Sequence, residues 1–187
     1  MKAIKKGYGD IMDKSILAVN KDSLERVLVK NPMIKSAQVY YSLDGYIHVN
    51  IQQREPVLRV LTGEGYYVDR DGRVMPLSSK FTSRVVVATG DINKKFACEK
   101  LGPFAMKLKN EPFWDAYIEQ LVVRSNEDVV MIPKVGDFRI VLGKVDDCEA
   151  RLEKLMLFLK DGITKKGWNR YKEINLKFDN QVVCVRK

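Results

Sequence analysis

Apolar residues in the first third of the chain recur with the spacing of helices. A short helix is predicted over residues 4–13, with an apolar side made of Ile4, Tyr8, Ile11 and Met12. Leu24, Val27 and Leu28 predict a second helix, because positions three and four apart share one helical face. Asn20 suits the N-cap of this helix, and Pro32 disfavours helical geometry at the residue before it. We therefore expect the second helix to lie between Asn20 and Pro32.

An alternation with a period of two then predicts a hairpin of strands over 35–43 and 46–53. Ile47, Val49 and Ile51 fall on one face of the second strand, so that face is predicted to be buried. The opposite, hydrated face carries Tyr46, His48, Asn50 and Gln52. Between the strands, Asp44 and Gly45 predict a two-residue type I′ turn, because both residue types tolerate positive φ.

Beyond Pro56 the pattern changes to short strands separated by glycine-containing turns. Strands are predicted over 57–61, 66–69, 74–75, 84–88 and 118–124. Two helices are predicted over 92–101 and 103–109, and residues 128–133 and 137–142 predict a further antiparallel pair around Gly136. This change of pattern places a domain junction at Pro56.

The last forty residues predict one helix followed by two strands. The helix, over 146–160, has an apolar stripe made of Cys148, Leu152, Leu155, Met156 and Leu159. Asp146 and Asp147 are expected in its first turn, where the helix dipole favours acidic side chains. Strands over 171–178 and 181–186 follow, joined by a turn at Asp179 and Asn180.

Charge and length limit the function classes. The 187 residues include 33 basic and 24 acidic ones, a net charge of +9. The excess is spread along the chain as +4, +2 and +3 over residues 1–60, 61–145 and 146–187. A nucleic-acid-binding protein usually concentrates such charge on one element, so an ordinary basic surface is favoured. The pattern of apolar residues predicts neither a membrane helix nor a signal peptide within these residues.

Candidate catalytic chemistry is sparse. His48 is the single histidine, and it is expected to be solvated on the hydrated strand face. Cys148 and Cys184 are expected to be buried, inert thiols, and with Cys98 they form no metal or redox motif. The acidic cluster at Asp69 and Asp71 is interpreted as a turn with hydrated charges. These residues predict a binding protein with no catalytic residue, metal or cofactor.

Several segments, in order, resemble the bacterial division protein family FtsQ, also called DivIB. Residues 16–60 resemble its POTRA region, including Asn20, Leu24, Leu28 and the Arg54-Glu55-Pro56 junction. Residues 66–74 resemble the family's "y.vD..G.vf" motif. Residues 132–143, followed by Lys154 and Leu155, resemble its glycine-containing hairpin and helix, and residues 174–178 with Val182 and Val183 resemble its final strands.

The resemblance implies an α+β protein with two domains. Residues 1–55 are expected to form a small POTRA-like module, with two helices on a short sheet. Residues 56–187 are expected to form a mostly antiparallel β domain with a C-terminal amphipathic helix and two final strands. Family POTRA modules open with a strand before the first helix, and this strand, the cytoplasmic tail and the membrane helix of the family are not found in the sequence.

The resemblance also implies a nonenzymatic scaffold of the cell division machinery. Family members are anchored in the inner membrane by an N-terminal helix, with both domains in the periplasm, and bind the coiled-coil proteins FtsB and FtsL. The partner adds to the edge of the last strand. The predicted partner-binding residues here are Phe178, Asn180, Gln181, Val182, Val183, Cys184 and Arg186. Gln181 and Arg186 depart from the residue types that the family usually has there.

Three alternatives come from other function classes. A POTRA-bearing chaperone or assembly module for envelope proteins would show repeated POTRA units or a barrel pattern, and neither is found in the sequence. A nucleic-acid-binding protein would show binding that collapses with added salt. An enzyme would need catalytic residues beyond the one histidine.

Overall fold

The computed structural model of the protein describes residues 19–78, 82–163 and 170–187. The helix predicted over residues 4–13 lies outside them. The chain divides into two compact units, Met1–Glu55 and Pro56–Lys187. Helices and a large mixed sheet confirm the predicted α+β fold. None of the described helices combines the length and the apolar character that crossing a membrane requires.

The described part of the first unit is one helix packed on a hairpin. Helix α1 spans Lys21–Val29. Strands β1, Ile34–Tyr41, and β2, Ile47–Gln53, pair antiparallel. As predicted, the Asn20 side chain caps the helix, because its Oδ1 accepts the Ser23 N–H at 3.0 Å. The core between helix and hairpin consists of Val19, Leu24, Leu28, Ile34, Ala37 and Val39.

Two hydrogen bonds join β1 to helix α1 and to the residue before its N-cap. A Glu25 carboxylate oxygen accepts the Val39 backbone N–H at 2.7 Å. The Tyr41 hydroxyl donates to the Val19 carbonyl, at the start of the same helix. The first bond satisfies a backbone N–H of β1 that an edge strand would otherwise present to another chain.

Two details of the hairpin differ from the prediction. Gly45 has a positive φ of 86°, but Asp44 does not, and the Ser42 N–H donates to the Tyr46 carbonyl at 3.0 Å. The loop therefore has three residues, with glycine at the left-handed position, and the type I′ prediction is wrong. Ile51 was expected on the buried face, yet 43% of it is exposed, because the described core ends near Val49.

The second unit is built on a nine-stranded sheet. Its strands are β3 Pro56–Val60, β4 Tyr66–Asp69, β5 Val74–Pro76, β6 Val86–Gly90, β7 Ile118–Arg124, β8 Asp128–Pro133, β9 Arg139–Gly143, β10 Tyr171–Asn175 and β11 Val183–Arg186. Their spatial order is β11-β10-β9-β8-β7-β6-β3-β4-β5. The pairs β10–β9, β6–β7 and β3–β6 are parallel, and the other neighbouring pairs are antiparallel. The sheet is thus mostly antiparallel, as predicted.

Helices pack on this sheet around one core. Helix α2, Lys94–Phe96, continues through a π-helical turn, Ala97–Leu101, into α3, Gly102–Asn110, and α4 spans Pro112–Tyr117. Helix α5 spans Glu149–Leu157 and ends in a second π-helical turn, Phe158–Ile163. A short 3-10 turn, Ser125–Glu127, joins β7 to β8. The apolar stripe predicted for α5 is confirmed, since Cys148, Leu152, Leu155 and Leu159 are buried in this core and the partly buried Met156 packs against it.

The helix predictions need two corrections. Residues 92–101 and 103–109 were expected to form separate helices, but the chain stays helical across Pro103. The Gly102 N–H bonds back to the Ala97 carbonyl, and this wider turn accommodates the proline. The last helix was expected from Asp146, but it begins at Glu149 because Asp147 has a φ of 45°.

The turn after β4 forms as expected, with one difference in burial. Asp69 is only 2% exposed, although its charge was expected to be hydrated. Its Oδ1 accepts the backbone N–H groups of Asp71, at 2.9 Å, and Arg73, at 2.7 Å. These charge-assisted bonds replace water, so the buried carboxylate holds the turn together.

Candidate partner-binding edge

Strand β11 lies at one edge of the nine-stranded sheet. It pairs with β10 antiparallel, with Cys184 opposite Ile174 and Val183 opposite Asn175. The connection turns at Asn180, whose φ of 57° is in the left-handed region that asparagine tolerates. The final hairpin thus forms as predicted, although its strands are shorter than expected.

The two faces of β11 differ in burial. Val183 and Val185 lie on the exposed face, at 37% and 47% exposure. Val182 and Cys184 are half-buried and pack against the core of the unit. The prediction of an inert, buried thiol at Cys184 is therefore wrong in its burial, because an edge strand has no neighbour on its outer side to cover it.

The other predicted residues cluster at the turn and at the strand end. Phe178, Asn180, Gln181 and Arg186 are all exposed. The structure brings the seven predicted residues together on one hairpin and its edge. Their role in partner binding stays a prediction.

Backbone direction along β11 follows from one bond beyond its end. The Lys187 N–H donates to the Arg170 carbonyl at 3.2 Å, so it points toward the β10 side. Successive N–H groups of a strand point to opposite sides. Those of Val183 and Val185 therefore point toward β10, and that of Arg186 points away from the sheet.

Lys154 of α5 fixes the segment between the two last strands. Its ammonium group donates to the Phe178 carbonyl at 2.6 Å and to the Leu176 carbonyl at 3.2 Å. In the sequence, Lys154 stands out only as part of a family motif, because a contact between residues more than twenty positions apart leaves no local pattern.

Ion pairs flank the hairpin on its β9 side. Arg139 pairs with Glu173 at 2.7 Å, and Lys187 pairs with Asp137 at 2.7 Å. The hydrogen bond from Lys187 lowers the pKa of the Asp137 carboxyl. These exposed pairs orient the strand ends and contribute little free energy.

An open polar cleft of about 730 Å³ adjoins the turn of the hairpin. Its lining includes Asp128, Gly143, Asp147, Arg151, Lys177 and Asp179. This cleft leaves no signal in the sequence, since its walls come from three separate connections of the sheet. Charges of both signs line it, and Lys177 pairs with Asp128 at 3.3 Å.

The groups considered for chemistry lie elsewhere. His48 is exposed on β2 and stacks on Tyr40, with ring centroids 5.0 Å apart. Cys148 is buried, and desolvation raises the pKa of its thiol, as it does for the half-buried Cys98. Within residues 19–78, 82–163 and 170–187, no three His, Cys, Asp or Glu side chains are placed to hold a metal ion.

Comparisons with known proteins agree with this architecture. The family model described as FtsQ/DivIB, C-terminal related, matches residues 55–185. A model of the POTRA-like domain matches residues 1–52. A comparison with curated proteins finds no match. Both matched families consist of noncatalytic scaffold domains, and the first acts in cell division through protein partners. The chain therefore belongs to the FtsQ/DivIB C-terminal related family and carries a POTRA-like domain ahead of the family region.

Proposed function

We propose that the protein is a scaffold of the bacterial division machinery that binds partners of the FtsB and FtsL type by strand addition at β11. It links early and late division proteins and has no catalytic activity of its own. It acts from the inner membrane, with the POTRA-like domain, residues 1–55, and the β domain, residues 56–187, in the periplasm. The observation that carries the proposal is the position of β11 at the edge of the sheet.

Backbone geometry supports strand addition. A partner strand needs outward N–H and C=O groups for pairing, and alternation along β11 supplies them. Arg186 provides such an outward N–H. The exposed side chains of Val183 and Val185 offer apolar surface that a partner strand would cover.

The test uses two substitutions at Arg186. Arg186→Pro removes the outward N–H, whereas Arg186→Ala removes the side chain and its charge but keeps that N–H. Binding of the purified FtsB–FtsL complex from the same bacterium is measured by calorimetric titration. We expect Arg186→Pro to weaken binding about tenfold or more and Arg186→Ala to weaken it far less.

Folding controls make the result interpretable. Circular dichroism and amide exchange in β10 should be unchanged in Arg186→Pro, because the lost N–H does not pair with β10. Equal affinity of a folded Arg186→Pro protein and the wild type would refute the site. Equal weakening by Arg186→Pro and Arg186→Ala would show that the Arg186 side chain, and not backbone pairing, contributes the binding energy.

The POTRA-like match favours a second candidate, an assembly module for envelope proteins. Such a module would bind unfolded outer-membrane strands through its first unit. Residues 1–55 would then be required for binding, and substitutions at Arg186 would have no effect. Titration with an unfolded outer-membrane protein distinguishes the two functions.

A further inference from the structure

The residues of strand β11 are arranged symmetrically about Cys184. A valine lies on each side of it, at positions 183 and 185, and both valines are exposed on the same face of the strand. A two-fold contact between two copies of one chain needs such self-complementarity, because each residue of one copy meets a residue of the same surface on the other. The residues around Cys184 therefore suit a contact between two copies of β11.

The backbone of β11 fits the same symmetry. The N–H groups of Val183 and Val185 point toward β10, so by alternation those of Cys184 and Arg186 point away from it. In an antiparallel pair, two opposite residues whose N–H and C=O groups face each other exchange two hydrogen bonds. A two-fold axis at Cys184 places it opposite Cys184 of the second copy, and Arg186 opposite Val182. An axis at Val185 would leave Val182 outside the pairing and form fewer bonds.

The exposed valines meet in this register. Val183 lies opposite Val185 of the second copy, at positions that exchange no backbone hydrogen bonds and where side chains approach most closely. Each copy thus covers both of its exposed valines. Arg186 and Lys187 lie at opposite ends of an antiparallel pair, whereas a parallel pair would set the cations of the two copies side by side. Charge therefore favours the antiparallel arrangement.

We propose that two copies of the protein pair antiparallel through β11, about a two-fold axis at Cys184, when no division partner occupies that edge. The pairing joins the two nine-stranded sheets and closes the edge, so it regulates access to the partner site. Only the regulatory role rests on the proposed function, since two copies can pair whether or not a division protein uses the same edge.

Cross-linking at Cys184 tests the register. Opposite residues of a hydrogen-bonded antiparallel pair have Cα atoms about 5.5 Å apart, a distance that a disulfide spans. The full chain carrying Cys98→Ser is treated with diamide, which takes up the two thiol hydrogens as the S–S bond forms. We expect a covalent dimer in which both linked peptides contain Cys184. Absence of this dimer, or a link through the fully buried Cys148, would overturn the register.

Sedimentation equilibrium measures the association without a covalent bond. Val183→Arg should weaken self-association about tenfold or more, because it sets a charge against Val185 of the second copy. Leu157→Arg is the matched control, since Leu157 is an apolar residue 64% exposed on helix α5, and this variant should associate like the wild type. A wild-type protein that stays monomeric at millimolar concentration, or equal weakening by the two variants, would overturn pairing through β11.

Competition with the division partner separates this inference from the proposed function. Added FtsB–FtsL complex should lower the yield of the Cys184 cross-link, because both contacts need the same backbone groups of β11. If the complex binds and the yield is unchanged, the partner site lies elsewhere and the regulatory role is refuted. If the complex binds β11 but no cross-link forms in its absence, self-pairing is refuted and the proposed function stands.

Discussion

The two edges of the nine-stranded sheet are built differently. Strand β5 has three residues and ends in Pro76; Met75 is buried, and Val74 is 39% exposed. Strand β11 has four residues, contains no proline and exposes two valines. A proline at the end of an edge strand discourages further pairing, and β11 has no proline. The contrast supports the proposal that a partner pairs with β11.

The largest loss of stability is expected from a substitution in the middle of the sheet, between the two edge strands. Gly90, at the end of β6, has a φ of 104°, and a Cβ there would lie 2.0 Å from the Val123 carbonyl oxygen. Gly90→Ala should therefore lower the free energy of unfolding of the second unit by at least about 3 kcal/mol. Denaturant titration measures it. Gly63→Ala is the control, because Gly63 also has positive φ but open space around it, and should cost only about 1 kcal/mol.

A smaller loss of stability distinguishes the edge strand β11 from β10, the strand with which it pairs. Ile174 of β10 is fully buried, so Ile174→Ala should cost about 2–5 kcal/mol of unfolding free energy. Val185 of β11 is half-exposed, and Val185→Ala should cost about 0.5 kcal/mol. Parallel denaturant titrations give both values. Similar costs at the two positions would contradict the view that β11 contributes surface more than stability.

A substitution at Lys154 tests how much its hydrogen bonds stabilise the connection between β10 and β11. Lys154→Met keeps the aliphatic stem but loses the bonds to the Leu176 and Phe178 carbonyls. We expect a loss of about 1–2 kcal/mol and faster amide exchange over residues 177–183. Lys172→Met, at an exposed lysine of β10, serves as the control and should leave exchange unchanged. Unaltered exchange in Lys154→Met would show that the segment is held by its turn alone.

The smallest effect concerns pH and the helix that carries Lys154. Burial raises the pKa of the Cys148 thiol, at the start of α5, above its unfolded value. The neutral thiol therefore contributes stability that is fully present below the unfolded pKa and is lost as pH rises through the folded pKa. Unfolding curves at several alkaline pH values should show this loss in the wild type and a flatter dependence in Cys148→Ala. Identical pH dependence would exclude Cys148 as the titrating group.

Local patterns in the sequence predicted much of this fold. The spacing of Leu152, Leu155 and Leu159 identified α5, and Asn20 and Pro32 bounded α1, because these depend on neighbours within one or two turns. The parallel pairs β3–β6, β6–β7 and β9–β10 were not predicted, since they join strands that are far apart in the sequence. The start of α5 at Glu149 instead of Asp146 was also not predicted, because nothing in the residue type of Asp147 requires a positive φ.

The candidate site was predicted in the same uneven way. Family resemblance selected the final hairpin, and alternation assigned Val183 and Val185 to one face. Arg186 was selected by its position in the family motif, whereas the outward direction of its N–H needed the bond between Lys187 and Arg170. The cleft beside the turn and the tie through Lys154 depend on distant contacts, which a single sequence does not reveal.

The hydrogen bonds from Lys154 to the Leu176 and Phe178 carbonyls have a mechanical consequence. A pull along β11 would load its backbone bonds to β10 side by side, whereas a pull at right angles would open them one after another. The two carbonyls bound by Lys154 lie in the connection between β10 and β11, so tension on that connection would reach helix α5 through the lysine side chain. A ligand that pulled on this edge would therefore strain the two Lys154 hydrogen bonds as well as the bonds between β10 and β11.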